Sequence, residues 1–209
     1  MQIVNASYKI LTPISQNGVD ELHKIEQIGR LCYKSEDKMT ETSAAKFVEA
    51  LIKRGHEAMI EHSQLSVIFT VDRGVSHEMV RHRLASFAQE STRYCNYSKE
   101  KFGNEITVIK PFFLEQGTDA YDRWEDAMEA CEASYFDMLK CGCSPQEARS
   151  VLPNSLKTEI AITANYREWR QILRLRTAKD AHPQMREVMC ALGDELQEKL
   201  PVIFGRTEL

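Results

Sequence analysis

Apolar residues in this chain recur at helical spacing over long stretches and at strand spacing over a few short ones, without a sustained strand–helix–strand rhythm. That pattern constrains the fold more than any other feature, because a doubly wound parallel sheet needs such a rhythm throughout. Residues 18–33 carry Val19, Leu22, Ile25, Ile28 and Leu31 at three-residue steps, which predicts a helix. A second helix is expected from about Thr42 to Arg54, with Ala45, Phe47, Val48, Leu51 and Ile52 inward and Gly55 as its stop. Helices are also expected over 75–86, 118–140, 166–176 and 183–199. Ser144-Pro145-Gln146-Glu147 has the form of a capping box with proline at the first helical position. Strands are expected over 2–11, Leu65–Val71, Ile106–Ile109 and Thr158–Ala164. The expected class is α+β (mixed α/β): a single domain over residues 1–209, with a small sheet, several flanking helices and no Rossmann fold.

The longest apolar runs fall well short of eighteen residues, so no membrane span is expected. Met1-Gln2-Ile3-Val4-Asn5 lacks the basic and apolar regions of a secretion signal, which points to the cytoplasm. Of six cysteines, only Cys141 and Cys143 are close, and Cys-Gly-Cys is not a zinc half-site. Free, mostly buried thiols in a reducing compartment are expected.

Against a formal net charge of −4, Arg81-His82-Arg83 followed by Ser86, Gln89, Ser91 and Arg93 is a local concentration of donors. Arginine presents a planar fork that matches phosphate and carboxylate oxygens in pairs. Short charged runs usually line a solvated face, but Val75, Met79, Val80, Leu84 and Phe87 surround this one. On a helix Arg81 and Arg83 would point about 200° apart. One of them is then expected to enter the interior or a cleft, where a guanidinium needs an acceptor. An anionic ligand with several polar edges, such as a nucleotide, fits this chemistry. The glycines make no Gly-x-Gly-x-x-Gly and no Walker loop, so any dinucleotide is held without a Rossmann turn.

His56-Glu57 and Glu61-His62 place two histidines six apart, which is wrong for a helical zinc pair, so no metal is expected. Lining a cleft at the edge of the following strand is the favoured role. Ser91 lacks a nucleophile elbow and reads as a phosphate hydrogen-bond donor. Downstream, Arg167, Gln171 and Arg174 share one helix face at i, i+4 and i+7, with Asn165 before them and Arg176 to the side. Arg149 stands alone before Val151-Leu152-Pro153.

Arg81-His82-Arg83, then seven residues, Ser91, one residue and Arg93 resembles the signature of the flavin-dependent thymidylate synthases. Ala148-Arg149 through Leu152-Pro153, Asn165-Tyr166-Arg167 through Leu175-Arg176, and His56-Glu57 with Glu61-His62 resemble further segments of that family, in the right order. The resemblance spans about residues 56 to 190. It implies methylation of dUMP at the uracil C5 to give dTMP, with 5,10-methylenetetrahydrofolate as carbon donor, FAD as hydride carrier and NADPH as reductant, in a homotetramer. It implies FAD contacts from His56, Arg81, His82, Arg83, Gln89, Asn165, Arg167 and Gln171. It implies dUMP contacts from Glu78, Arg81, Gln89, Glu90, Ser91, Thr92, Arg93, Arg149 and Arg176. Arg176 is the implied catalytic residue, stabilising negative charge on the pyrimidine; the helical wheel alone would nominate Arg174. Gln171, His182 and Glu78 depart from residues common in that family. The rival readings are a non-catalytic nucleotide- or flavin-binding regulator and a nucleic-acid-binding module. The acidic balance and the lack of a basic stripe with interleaved aromatics count against the second.

Overall fold

The computed structural model describes residues 1–205. Its elements run β1 (Gln2–Val4), β2 (Ser7–Ile10), α1 (Val19–Leu31), α2 (Ser43–Lys53), β3 (Gln64–Asp72), α3 (Arg73–Met79), β4 (Ala85–Gln89) and β5 (Thr107–Ile109). There follow α4 (Asp119–Lys140), α5 (Pro145–Ala148), β6 (Lys157–Asn165), α6 (Tyr166–Arg176), α7 (Pro183–Lys199) and α8 (Pro201–Phe204). This is the expected α+β class, with a two-stranded sheet, β1-β5, and a four-stranded sheet in the order β2-β3-β6-β4. β3 and β6 alternate buried and half-buried residues along their length, as strands with unequal faces must.

Contacts gather into two compact units. The first holds Met1–Ser7, Phe69–Arg81 and Phe87–Ala161. Within it β1 runs parallel to β5, with Ile3 opposite Val108. Thr118 caps α4 by accepting from the Tyr121 N–H, and Asp119 and Asp122 sit in the first turn, where the helix dipole favours them. Tyr121, Met128 and Tyr135 lie one heptad apart and are its buried residues. Met128 and Tyr135 join Tyr97, Ile106, Val108, Ala148 and Leu156 in one cluster. Burying each large side chain contributes about 1.5–3 kcal/mol. The capping box forms as the sequence predicts, with the Ser144 N–H donating to Glu147 Oε2 at 2.8 Å.

The second unit holds Tyr8–Ile68, His82–Ser86 and the chain from Ile162 onward. Here α1 packs on α2, and α6 packs on α7 and on a 3-10 turn at Glu57–His62. A side chain at Gly29 of α1 would come within 2.7 Å of the Phe47 ring, so this helix pair needs glycine there. Gly55 stops α2 as expected. Its φ of 72° turns the chain, and the His56 N–H returns to the Leu51 carbonyl at 2.9 Å. Trp169 is wholly buried, and its indole N–H donates to the Leu65 carbonyl at 2.9 Å.

Four expectations are corrected. The 2–11 run is two strands in different sheets, because β1 pairs with β5 and the β2 run with β3. The 75–86 helix ends at Met79, and Ala85–Gln89 is a strand. Ala44, not Ala45, shares the buried face of α2 with Val48. None of the six cysteines is fully buried. Cys32 and Cys141 are exposed at helix C-termini, and the rest are half-buried.

Candidate functional site

Two strands end in helix caps, and these caps start the helices that carry several of the candidate side chains. Asn165, last in β6, turns its Oδ1 to accept from the Glu168 N–H at 2.8 Å, and α6 starts there. The cap uses the amide oxygen and leaves the amide nitrogen as a donor. Asp72, last in β3, does the same for α3 through the Val75 N–H at 2.8 Å.

In the second unit, α6 forms one wall of a cavity of about 810 Å³. Its lining is Glu57, Glu61, Leu84, Asn165, Arg167, Glu168, Arg170, Gln171 and Arg174. The face predicted from i, i+4, i+7 spacing is therefore the cavity face. Arg167 donates to Glu61 at 2.6 Å and lies 3.7 Å from Glu57. Arg170 pairs with Glu57 at 3.4 Å, and Arg174 donates to the Gln171 amide oxygen. Three carboxylates and three guanidiniums thus balance, and recognition here depends on directed donors more than on net charge. His56 itself is exposed at the start of the 3-10 turn; the carboxylates Glu57 and Glu61 provide the lining.

The arginine trio lies in the turn between α3 and β4. No helix separates Arg81 from Arg83, and both are exposed; the residue that enters the interior is His82, at 8% exposure. Its Nε2 accepts from the Arg176 Nε–H at 2.9 Å, and its Nδ1 lies 3.7 Å from Glu168 Oε1. Burial and then the Arg176 charge lower the His82 pKa to about 4, so the ring is neutral near pH 7. Burial raises the pKa of Glu168.

The first unit collects a different set. The Gln89 amide donates to Ser76 Oγ at 2.9 Å and Thr158 Oγ1 at 3.2 Å, both on buried residues. Glu90 is held by Lys157 at 3.1 Å and by the Tyr97 hydroxyl at 3.3 Å. Burial first, and then the Glu90 charge, raise the Tyr97 pKa, so that hydroxyl keeps its proton. From Ser91 the chain turns, with the Arg93 N–H donating to Ser91 Oγ at 3.3 Å. Thr92 is buried and meets Arg149 Nη1 at 3.4 Å, joining two residues that lie 57 apart in sequence. The Arg93 side chain is exposed and lies over the Tyr94 ring at 5.4 Å. Glu78 is half-buried near the end of α3.

Arg170 and Glu168 belong to the site and were missed in sequence. Arg170 stands three residues after Arg167 and shares its face. Glu168 is a carboxylate beside Trp169, on the apolar side of an otherwise basic helix, and that misplacement was its signal.

Comparison with known proteins gives a consistent result. A model of the thymidylate synthase complementing protein family matches residues 16–202. A flavin-dependent thymidylate synthase of Corynebacterium efficiens is 32% identical over 87% of this chain and 77% of its own length. One from Pyrococcus furiosus is 28% identical over 82% of this chain and 70% of its own. Among solved structures, a UMP/dUMP methylase of Streptomyces cacaoi bound with 5-bromo-dUMP superposes with a TM-score of 0.76 at 20% identity. It covers 98% of this chain and 95% of that one, a likeness of fold.

Proposed function

The chain belongs to the flavin-dependent thymidylate synthase family, and from that premise we propose that it is a FAD-dependent methyltransferase converting dUMP to dTMP. In this reading 5,10-methylenetetrahydrofolate donates the carbon, NADPH supplies the electrons, and the whole chain works as one domain in a cytoplasmic homotetramer. The observation that carries it is the α6 cavity: Asn165, Arg167 and Gln171, which the family motif assigns to flavin, line one space of about 810 Å³. That volume lies within the range of small-molecule and cofactor sites.

The cavity chemistry fits FAD. Guanidinium forks from Arg167 and Arg174 and amide donors from Asn165 and Gln171 suit pyrophosphate and flavin edges, and Leu84 adds an apolar surface. Arg81, Arg83 and His56, all exposed, are proposed as further flavin contacts. When bound, FAD supplies the two-electron reduction that turns a transferred one-carbon unit into a methyl group.

For dUMP, the donors proposed are Ser91, Arg93, Arg149 and Arg81. Thr92, Gln89 and Glu90 have side chains engaged inside the unit, so their proposed part is to hold the loop in shape and offer backbone groups. Glu78 is proposed at the margin of the same loop. Ser91 is assigned as a donor, since the nearest histidine in sequence, His82, has its Nε2 already engaged by Arg176. Arg176 is proposed to face the pyrimidine and stabilise its developing negative charge.

Titration of the purified protein with FAD tests this reading. A flavin spectrum that bleaches with NADPH without oxygen, and returns when dUMP and methylenetetrahydrofolate are added, is expected. Flavin uptake with no nucleotide-dependent return would point to the non-catalytic regulator. A folded protein that takes up no FAD would contradict both.

A further inference from the structure

Glu168 is a buried carboxylate that forms no ion pair with a lysine or arginine among the described residues. Such a group is costly unless something gains from it. Among the described residues it does pair with the imidazole of His82, with Oε1 at 3.7 Å from Nδ1. On α6, Glu168 and Arg176 are eight residues apart, so they lie about 80° apart around the helix and two turns apart along it. The His82 ring spans that gap: Nδ1 toward Glu168, Nε2 accepting from Arg176 at 2.9 Å.

The tautomer of the ring decides whether this works. An arginine Nε–H can only donate, so Nε2 must carry a lone pair, and a neutral ring then has its proton on Nδ1. With the proton on Nε2, two donors would face each other and Arg176 would be pushed away. A carboxylate beside Nδ1 attracts the N–H dipole and favours the required form. We propose that Glu168 is a positioning residue, which holds His82 with its proton on Nδ1 and thereby fixes the Arg176 guanidinium where the pyrimidine needs it. The inference rests on the assignment of Arg176 to the pyrimidine. Nothing in the family motif selects Glu168; it is chosen by the distances. The burial-depressed pKa of His82 fits the same arrangement, because a protonated ring could not accept from Arg176.

The test is Glu168→Gln, nearly isosteric, whose amide N–H can donate to Nδ1 and drive the ring proton to Nε2. Long-range proton–nitrogen correlation spectra of the cofactor-free protein report the tautomer, with the His82 signal identified by its loss in His82→Asn. The parent is expected to carry the proton on Nδ1 and Glu168→Gln on Nε2. Turnover should fall about 10–100-fold, the range that outer orienting partners typically command, with little change in the KM for dUMP. Glu168→Asp should recover part of the loss, and Glu168→Gln should add nothing to Arg176→Ala, since both act through one guanidinium. Should Glu168→Gln not fold, Glu168→Asp carries the spectroscopic test, with a mixture of both tautomers expected. An unchanged Nδ1 proton in Glu168→Gln overturns the proposal, as does an exchanged tautomer with normal turnover where Arg176→Ala is impaired. If Arg176→Ala alone keeps full turnover, the catalytic assignment fails, and the spectra of the resting protein still decide whether Glu168 governs His82.

Discussion

The two units hold their candidate residues in opposite ways. On α6, arginines are already engaged: Arg167 with Glu57 and Glu61, Arg170 with Glu57, Arg176 with His82. In the first unit, Arg81, Arg93 and Arg149, the residues proposed for the nucleotide, are exposed and close no ion pair among the described residues; Arg149 donates to the Thr92 hydroxyl. A guanidinium fixed by neighbours can act on charge that develops during a reaction without reorganising first. One left in water is suited to capturing a charge that arrives complete, such as a phosphate. On the proposed reading, the contrast predicts an effect on rate for Arg176 of α6 and an effect on affinity for the exposed arginines of the first unit.

The largest expected effect breaks the α6 side. Arg176→Ala should lower turnover by about 10²–10³, roughly 3–4 kcal/mol, with FAD still bound and still bleached by NADPH. Arg176→Lys keeps the charge but not the planar fork, and should recover only part. Arg174→Ala is the comparison. If it abolishes turnover while Arg176→Ala does not, the catalytic role moves to the residue chosen by the helical wheel.

Next in size are changes in the loop. Ser91→Ala or Arg149→Ala should weaken dUMP binding by about 1.5–3 kcal/mol, the worth of a hydrogen bond to a charged group, with kcat little altered. Steady-state kinetics that show the loss in kcat and not in KM would erase the contrast between the two units.

The caps offer a matched pair. Asn165→Ala and Asp72→Ala should each lower stability by about 1 kcal/mol in denaturant unfolding. Asn165→Ala should also weaken FAD binding, and Asp72→Ala should not. Equal effects on FAD would remove Asn165 from the flavin site.

The last effect is a pH dependence. The fold depresses the His82 pKa from its ordinary 6.5 to about 4, so between those values the unfolded chain binds more protons. Stability from this group is therefore complete above about pH 6.5 and falls as pH drops toward 4. The loss from pH 7 to 5 is on the order of 2 kcal/mol, and it should vanish in His82→Gln. A loss of the same size in that variant would assign the acid sensitivity elsewhere.

The same division governs what could be read in the sequence. The face of α6 follows from helical periodicity, and the structure returns its expected bounds, Tyr166–Arg176. The turn that carries the arginine trio does not follow from it. Val75, Met79, Val80, Leu84 and Phe87 fall at helical spacing, yet Val80 and Leu84 are exposed, so the pattern there does not report burial. β4 lies beside β6 in the four-stranded sheet, a long-range pairing that local periodicity cannot announce. The split of 2–11 has the same origin, since β1 and β2 find partners in separate sheets. The segment from Gln89 to Arg93 drew notice by its concentration of donors, and its individual roles were expected only through the family motif, because a turn has no period. Helical periodicity could mark Glu168 as a misplaced carboxylate but not say why it is there; its meaning comes from an imidazole 86 residues away.

Release of tritium from dUMP labelled at C5 tests the central claim most directly. The methyl group replaces that hydrogen, so the label must leave for water as dTMP forms. Protein loaded with FAD, given NADPH and methylenetetrahydrofolate, is expected to release tritium in step with dTMP, with both falling together in Arg176→Ala. FAD-loaded, folded protein that binds dUMP but neither releases tritium nor forms dTMP would contradict it.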